Sequence, residues 1–496
     1  MGSDERSIAE DLQAYVATAL AWNGLVIIVI QMTRILTSVI LARLLTPHEY
    51  GLAGLALLFS SLALLFSDLG FGAALVQKPT ITVLDRSTVF WINAISGFLL
   101  SVLGVALARP IAAFFKQPDL TPLLMAVSVS FFLISLQNTQ YSLLQRAMNY
   151  RALSLRLIFA TIGGAAVGVT VAVFGGGAWA LVAQAVTISF LSAILLWLTS
   201  DWRPQFVFSR ESVRNTIGFG GRVFGARVLD YSQRNVDNIL IGRYLGTTSL
   251  GFYSVGYNII LLPLQRLIVP VQDTLFTAFS RIQDDELRMK AIWLRAIRAV
   301  GALMIPATVG IILIAPELVQ VVLGRKWIPA APVMQILAPV ALFQSFGAIA
   351  ERTLLALGRA TTVFRFSLVG TVVSVAAFSI GLLWGIQGVA TSYAFVIIPV
   401  QVCLIAVTMS ALGISGWTLA RAVQGVLEAA TVMCIACWVC LTALVHTGAS
   451  ASLVVAVVIA VGVAVYLPIA AWRSPEVVDD IKTLSSSRLG RLRTTP

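Results

Sequence analysis

A stripe of alternating charges lies between positions 214 and 241, in a stretch that is otherwise apolar. Its members are Arg227, Asp230, Arg234 and Asp237. Their spacing of three, four and three residues places them on one face of a helix. A charge within a membrane costs several kcal/mol, so it normally faces a partner or a water-filled cavity. Two interpretations remain open. Either the four charges neutralise one another while the helix packs on a neighbour, or they line a cavity that has an excess of positive charge.

Other arginines in apolar stretches have no acidic residue three or four positions away. Arg34 and Arg266 are the two main examples. The planar guanidinium group of arginine donates two parallel hydrogen bonds to a phosphate or carboxylate group. We predict a cavity that binds an anionic ligand and is lined by Arg34, Arg266, Arg234, Arg227 and Arg222.

Four acidic residues in apolar stretches are candidates for ion or proton coupling. They are Asp68, Asp273, Glu351 and Asp230. Burial makes a carboxyl group easier to protonate, so such a group can take up and release a proton. The alternative for each residue is a structural ion pair. We expect no cofactor apart from a coupled proton or sodium ion.

These charged residues require elements that hold them inside a membrane. The chain is 58% hydrophobic and 11% charged, whereas a soluble protein carries about 25% charged residues. Backbone polar groups in lipid must be bonded within their own segment, so long apolar stretches form helices. We predict an all-α membrane protein of about 14 transmembrane helices. They lie at 16–44, 52–76, 88–108, 121–143, 153–174, 177–199, 214–241, 248–280, 296–323, 329–357, 361–384, 387–412, 419–445 and 451–471.

The chain also contains an internal repeat. At an offset of 200 positions, the matched pairs are Arg34 and Arg234, Arg43 and Arg243, Leu45 and Leu245, and Gly51 and Gly251. FFKQP (114–118) is similar to GRKWIP (324–329), and GGGAWA (175–180) is similar to GIQGVA (385–390). Such halves are related by an axis along the membrane normal, so we expect the substrate path between them.

The repeat predicts two pseudo-symmetric lobes of six helices, which rock against each other. The predicted divisions are a cytoplasmic N-terminus at 1–15, an N-lobe at 16–199, a cytoplasmic linker at 200–213, a C-lobe at 214–412, two further helices at 413–471 and a basic cytoplasmic tail at 472–496. With both termini in the cytoplasm, most lysines and arginines lie in cytoplasmic connections, as the positive-inside rule requires. The net charge of +12 then reflects topology and attraction to lipid headgroups, and it requires no nucleic acid.

Motifs of several enzyme classes are missing from the sequence. It contains no GxxxxGK[ST] loop, no HExxH and no GxSxG. The cysteines of a CxxCxxC run (434–440) lie in an apolar stretch without a fourth ligand nearby, so we interpret them as packing residues. The longest predicted outer connection, around 109–120, is too short to hold an acceptor sugar. We expect a transporter and not an enzyme.

Several segments in combination resemble one family. They are ARLLTPHEYGLAGLALLFSSLALLFSDLGFGAALVQKP (42–79), GGGAWALVAQ (175–184), DWRPQFVFS (201–209), NVDNILIGRYLGTTSLGFYSVGYNI (235–259), FSRIQDD (279–285) and FGAIAERTLLALGRA (346–360). From about residue 16 to 412, the chain is similar to bacterial polysaccharide transporters. These are the Wzx-type flippases of the multidrug/oligosaccharidyl-lipid/polysaccharide exporter superfamily.

The resemblance implies a multi-pass protein of the bacterial inner membrane. Its expected activity is to flip an undecaprenyl-pyrophosphate-linked oligosaccharide from the cytoplasmic to the periplasmic face, for exopolysaccharide, capsule or O-antigen assembly. It also implies a cationic cavity between the lobes and ion coupling, but it assigns no catalytic residue. The expected partners are this lipid-linked substrate, membrane lipids and a polymerase or other assembly machinery. We expect the chain to be a monomer.

Two alternatives come from other functional classes. A multidrug exporter of the same superfamily would carry cations through an acidic, aromatic cavity. Arg34 and Arg266, which have no acidic residue three or four positions away in the sequence, argue against that. A polysaccharide polymerase or ligase would show an outer loop with essential arginine or histidine residues.

Overall fold

The computed structural model describes residues 26–68, 71–78, 80–210, 231, 235–263, 272, 275, 279, 282 and 285–476. Within these residues the regular elements are all helices, and no β-strand occurs among them. Ten segments of the described chain are long and apolar enough to cross a membrane. The predicted class, an all-α membrane protein, is confirmed.

The chain forms two compact units, Met1–Gly251 and Phe252–Pro496. The helices of the first unit are α1 (Val26–Leu44), α2 (Pro47–Asp68), α3 (Phe71–Gln77), α4 (Val83–Phe115), α5 (Leu120–Arg146), α6 (Tyr150–Val173), α7 (Trp179–Thr199) and α8 (235–244), followed by the start of α9 (Gly246–Pro263). The boundary between the units therefore lies within α9. The lobe boundaries at 199 and 214 come from the sequence repeat and stay a prediction.

The second unit contains the remainder of α9 and six further long helices. They are α10 (Glu286–Val322), α11 (Ala331–Ala356), α12 (Ala360–Gly381), α13 (Gly385–Ala411), α14 (Gly416–His446) and α15 (Ala451–Arg473). A 3₁₀ turn at Arg325–Ala330 leads into α11, and a second at Leu382–Trp384 joins α12 to α13.

Most predicted spans agree with the observed helices, but three differ from them. The span at 296–323 starts too late, since α10 begins at Glu286. The span at 52–76 corresponds to two helices, because α2 ends at Asp68 and α3 begins at Phe71. The span at 88–108 is too short, since α4 continues through Arg109 and Pro110 to Phe115. The connection expected around 109–120 thus shrinks to 116–119. Most of the predicted helix at 214–241 and much of that at 248–280 lie outside the described residues.

In the first unit, α5 packs against α2, α3, α4 and α7. Glycines on α4 allow α5 to come close, because a Cβ atom at Gly97 would lie 2.0 Å from Ser135 Oγ and one at Gly104 would lie 2.3 Å from Ser128 Oγ. Small residues promote this kind of close packing between membrane helices, where lipid supplies no hydrophobic driving force.

The internal repeat is visible in the backbone geometry. Met148, after α5, and Gly358, after α11, both have positive φ, at 53° and 74°. Both turns contain the same type of backbone bond, from Asn149 N–H to the Leu144 carbonyl (3.0 Å) and from Arg359 N–H to the Leu354 carbonyl (2.8 Å). Gly175, which precedes α7, and Gly385, the first residue of α13, form a second positive-φ pair, at 78° and 70°. Each pair is separated by the same number of residues, so the two turns recur in register.

In the second unit, α14 and α15 pack against each other and against α10. The Tyr466 hydroxyl donates to the Ala302 carbonyl at 2.7 Å, and Arg298 Nε donates to the Ala422 carbonyl at 3.2 Å. Val426 and Ala429 on α14 are completely buried in this cluster. The two C-terminal helices are thus an integral part of the second unit.

Candidate functional site

Arg34 lies in the middle of α1 with its side chain exposed. The neighbouring hydroxyl groups are satisfied within the helix, because Thr33 donates to the Val29 carbonyl (2.8 Å) and Thr37 donates to the Thr33 carbonyl (2.7 Å). Arg34 is the charged residue in this part of α1. Its contact with a ligand stays a prediction.

The other predicted site residues are described only in part. Glu351 lies half-buried on α11 beside Arg352, and Asp68 is the last residue of α2. Six residues lie outside the described part of the chain: Arg222, Arg227, Asp230, Arg234, Arg266 and Asp273. Of the charged stripe, the structure describes Asp237, which is 4% exposed on α8. The convergence of the arginines on one cavity accordingly remains a prediction.

A seam of neutral polar groups joins α11 to α13 on the helical face that carries Glu351. Gln344 Nε2 donates to the Tyr393 hydroxyl at 2.9 Å. One turn further along α11, a Cβ atom at Gly347 would lie 1.7 Å from Gln401 Oε1, so the Gln401 side chain packs directly on the glycine. Positions 344, 347 and 351 share one helical face. Glu351 thus lies on the same face of α11 as these polar contacts, which the sequence analysis did not identify.

A second set of buried polar residues lies on α4 and α5 in the first unit. We name it the α4–α5 polar core; its members are Asn93, Gln137, Thr139 and Gln140, each at most 7% exposed. Among the described residues, both amide atoms of Asn93 and Gln140, Gln137 Oε1 and the Thr139 hydroxyl have no hydrogen-bond partner. Such groups are costly in an apolar interior, so this core is suited to hold water or a neutral hydrogen-bonding group.

The starts of α2 and α9 cross in direct backbone contact within the first unit. A Cβ atom at Gly51 would lie 1.8 Å from the Thr247 carbonyl oxygen, and one at Gly251 would lie 2.1 Å from the Pro47 carbonyl oxygen. At the 200-residue offset, Pro47 corresponds to Thr247 and Gly51 to Gly251, so the contact is reciprocal. His48 Nδ1 and Thr247 Oγ1 lie 2.7 Å apart and form a hydrogen bond across it. We name these five residues the α2–α9 crossing.

Hydrogen bonds at equivalent positions of the repeat stabilise the turns that lead into the crossing, and Glu49 adds further contacts. Leu45 N–H donates to the Leu41 carbonyl, and Leu245 N–H donates to the Ile241 carbonyl, both at 2.8 Å. Glu49 accepts from the Thr46 N–H at 2.7 Å and also packs on the α6–α7 turn, where a Cβ atom at Gly177 would lie 2.6 Å from its Oε1 atom. The crossing is therefore an ordered junction between equivalent parts of the repeat.

The cysteine run on α14 contributes to helix packing. Cys437 is 3% exposed within the cluster that joins α14 to α15. Its thiol group lies 3.6 Å from the Val458 carbonyl oxygen. In the described part of the chain, no group of histidine, cysteine, aspartate and glutamate residues is arranged to hold a metal ion.

Comparison with known proteins relates this arrangement to a family. A family model described as "Polysaccharide biosynthesis protein" matches residues 40–332. The chain is 26% identical over 366 residues to the lipopolysaccharide biosynthesis protein WzxC of Escherichia coli K12, covering 73% of this chain and 74% of WzxC. It is 28% identical over 308 residues to the succinoglycan biosynthesis transport protein ExoT of Rhizobium meliloti, covering 62% of each chain.

Solved structures with a similar fold include two transporters. The lipid II flippase MurJ, in an inward closed conformation, has a TM-score of 0.72 at 15% identity, covering 92% of this chain and 99% of MurJ. An inward-facing multidrug resistance MATE family transporter of the MOP superfamily has a TM-score of 0.60 at 13% identity, covering 77% of this chain and 94% of that one. At these identities the likeness shows the fold.

Proposed function

The chain belongs to the polysaccharide biosynthesis protein family, and from this premise we propose that it flips a lipid-linked oligosaccharide across a membrane. It is a multi-span membrane protein, and its role is transport and not catalysis. The lipopolysaccharide and succinoglycan relatives support a substrate in polysaccharide assembly.

We propose that the substrate is an undecaprenyl-pyrophosphate-linked repeat unit, which moves from the cytoplasmic to the periplasmic face of a bacterial inner membrane. Moving a charged pyrophosphate and its glycan through hydrocarbon without assistance is prohibitive, because every polar group would lose its hydration. Arg34 and the predicted arginines at 222, 227, 234 and 266 would replace that hydration with bidentate hydrogen bonds. The lipid tail can stay in the bilayer while the headgroup crosses.

The mechanism that we propose is alternating access between the predicted lobes, and the α2–α9 crossing is the observation that carries it. The crossing joins α2, in the predicted N-lobe, to α9, in the predicted C-lobe, through equivalent residues of the repeat. With the N-terminus in the cytoplasm, it lies at the periplasmic end. It would therefore seal the periplasmic side, and it must open for the headgroup to leave.

Energy for the cycle would come from an ion, with Glu351 the best described of the predicted coupling residues. Its position beside the α11–α13 polar seam gives a cation or proton a polar environment within the membrane. A polymerase is the expected acceptor of the delivered unit, and the chain is expected to act as a monomer.

A reversible cross-link tests this proposal. The hydrogen bond between His48 and Thr247 brings their side chains together, so His48→Cys with Thr247→Cys should join under oxidation once Cys403, Cys434, Cys437 and Cys440 are replaced by alanine. We expect oxidation to stop delivery of lipid-linked oligosaccharide to the periplasmic face and reduction to restore it. Each single-cysteine variant serves as the control. Undiminished delivery by the fully cross-linked protein would exclude the crossing as a gate.

A further inference from the structure

The segment at 201–209, which connects α7 toward the second half of the chain, is fixed to the start of α4. It contains no helix or strand. Gln205 N–H donates to Ser87 Oγ at 3.2 Å, and Ser209 N–H donates to Thr88 Oγ1 at 3.0 Å. Trp91 Nε1 donates to the Gln205 carbonyl at 2.8 Å. We name this segment the strap.

The hydroxyl groups that hold the strap belong to the interior of the first unit. Ser87 and Thr88 are completely buried, although they lie in the first two turns of α4. The backbone N–H groups of Gln205 and Ser209 would lose their acceptors without these hydroxyl groups, at a cost of about 1–3 kcal/mol each if they stayed buried. The strap is therefore an integral part of the fold and presents a defined outer face.

That outer face is aromatic and cationic. Phe206 is 92% exposed and stacks on the Trp91 ring, with ring centroids 4.9 Å apart, and Phe208 is 58% exposed. Arg203 is exposed on the strap two residues after the exposed Asp201, and its guanidinium group also donates to the Trp202 carbonyl at 3.0 Å. Exposed Arg210 directly follows the strap. Exposed aromatic rings between arginines combine an apolar contact with positive charge.

Two physical limits locate this face at the membrane surface. An extended backbone without a complete ladder of hydrogen bonds is not stable in contact with hydrocarbon, so the strap lies outside the lipid core. Two phenylalanine rings that are mostly exposed are unfavourable in bulk water, because contact between an apolar ring and water costs free energy. The headgroup region satisfies both limits, and the strap begins two residues after the end of α7 at Thr199.

We propose that the strap is a membrane-surface anchor that binds anionic phospholipid headgroups. Phe206 and Phe208 insert at the boundary between headgroups and acyl chains, as interfacial aromatic residues do. Arg203 and Arg210 contact the lipid phosphates, where each basic residue gains from the negative surface potential. Because the strap is bonded to α4, it holds the first unit at a fixed depth in the bilayer.

Fluorescence quenching of the full chain in vesicles tests the insertion. An environment-sensitive fluorophore is attached at Phe206→Cys in a background where the four native cysteines are alanine. We expect quenching by phospholipids that carry a spin label near the headgroup, and protection from aqueous iodide. Quenching by iodide alone would overturn the proposal by placing the residue in water. Protection from both quenchers would also overturn it, because the residue would then be covered by protein.

Lipid composition tests the part played by charge. The labelled protein is reconstituted in phosphatidylcholine alone and in an equal mixture with phosphatidylglycerol, with and without Arg203→Gln and Arg210→Gln. We expect the anionic mixture to increase lipid quenching for the arginine form, and the double variant to lose this increase. Equal quenching in both lipids for the arginine form would overturn anionic headgroup binding. Because these measurements need no transport substrate, they can fail or succeed independently of the flippase proposal.

Discussion

At the scale of single residues, the chain separates charged groups from neutral polar groups. Exposed Arg34 lies on α1 beside threonines whose hydroxyl groups are bonded within the helix, so it is the charged residue of that region. The α4–α5 polar core, in contrast, is neutral and buried. An anionic headgroup would be bound by the first kind of group and not by the second.

Arg34→Ala should abolish transport without unfolding the protein, because it removes a bidentate phosphate donor from an exposed position. Arg109→Ala is the matched control, since Arg109 is an exposed arginine on α4 outside the predicted cavity. The measurement is surface polymer in a deletion strain that carries each variant, with membrane abundance checked in parallel. Normal polymer with Arg34→Ala would remove this residue from the site.

Charged residues could be predicted as site candidates from the sequence because they are rare in apolar spans. The neutral groups could not, since Asn93, Gln344 and Gln401 are unremarkable in composition. Their importance depends on which helix face is buried and on which residue lies opposite, as when Gln401 packs on Gly347. Hydropathy along one chain contains no information on that pairing.

At the scale of helices, the α2–α9 crossing shows how a sequence repeat becomes a contact. The offset of 200 residues predicted that Gly51 and Gly251 are equivalent, but equivalence along a chain does not predict contact across a bundle. The structure places the two glycines at one junction, where each leaves room for a carbonyl oxygen of the opposite helix. A pseudo-two-fold axis that passes between two equivalent helices produces such a reciprocal pattern.

Two glycines of α2 provide a matched pair of variants. Gly51→Ala should destabilise the protein by about 1–3 kcal/mol, because its Cβ atom would lie 1.8 Å from a backbone oxygen and the helices must move apart. Gly54→Ala should be neutral or stabilising by up to about 1 kcal/mol, since no atom lies within 4 Å of its Cβ position and alanine is the better helix former.

Thermal unfolding in one detergent measures both variants, and Gly251→Ala should behave like Gly51→Ala. Equal melting temperatures for Gly51→Ala and Gly54→Ala would show that the crossing is not closely packed in the protein. That result would also remove the structural basis of the proposed gate.

At the scale of the whole molecule, the sequence was sufficient for the fold class and for most helix positions. The observed Leu120–Arg146, Tyr150–Val173 and Ala451–Arg473 lie close to the spans predicted at 121–143, 153–174 and 451–471. The single span predicted at 52–76 corresponds to two helices, α2 and α3, and Asp68 and Gly70 interrupt the apolar sequence between them. The helix α4 has 33 residues, or about 50 Å, and so exceeds the roughly 30 Å of hydrocarbon that a span must cross.

The packing of the C-terminal helices depended on tertiary contacts that the sequence does not reveal. As α14 and α15 lie outside the repeat, the sequence offers no symmetric partner from which their neighbours could be inferred. The structure packs them against α10 through Tyr466 and Arg298. The boundary between the compact units at Gly251 likewise reflects the packing of the start of α9 against α2.

The most direct test of the flippase proposal is the leaflet that holds the lipid-linked oligosaccharide when this chain is absent. A deletion strain is labelled with a membrane-impermeant reagent that reacts with the glycan, and the extracted lipid-linked units are compared with those of a complemented strain. We expect completed units to accumulate on the cytoplasmic face, protected from the reagent, with surface polymer lost and both effects reversed by complementation. Completed units that reach the periplasmic face in the deletion strain would contradict the proposal.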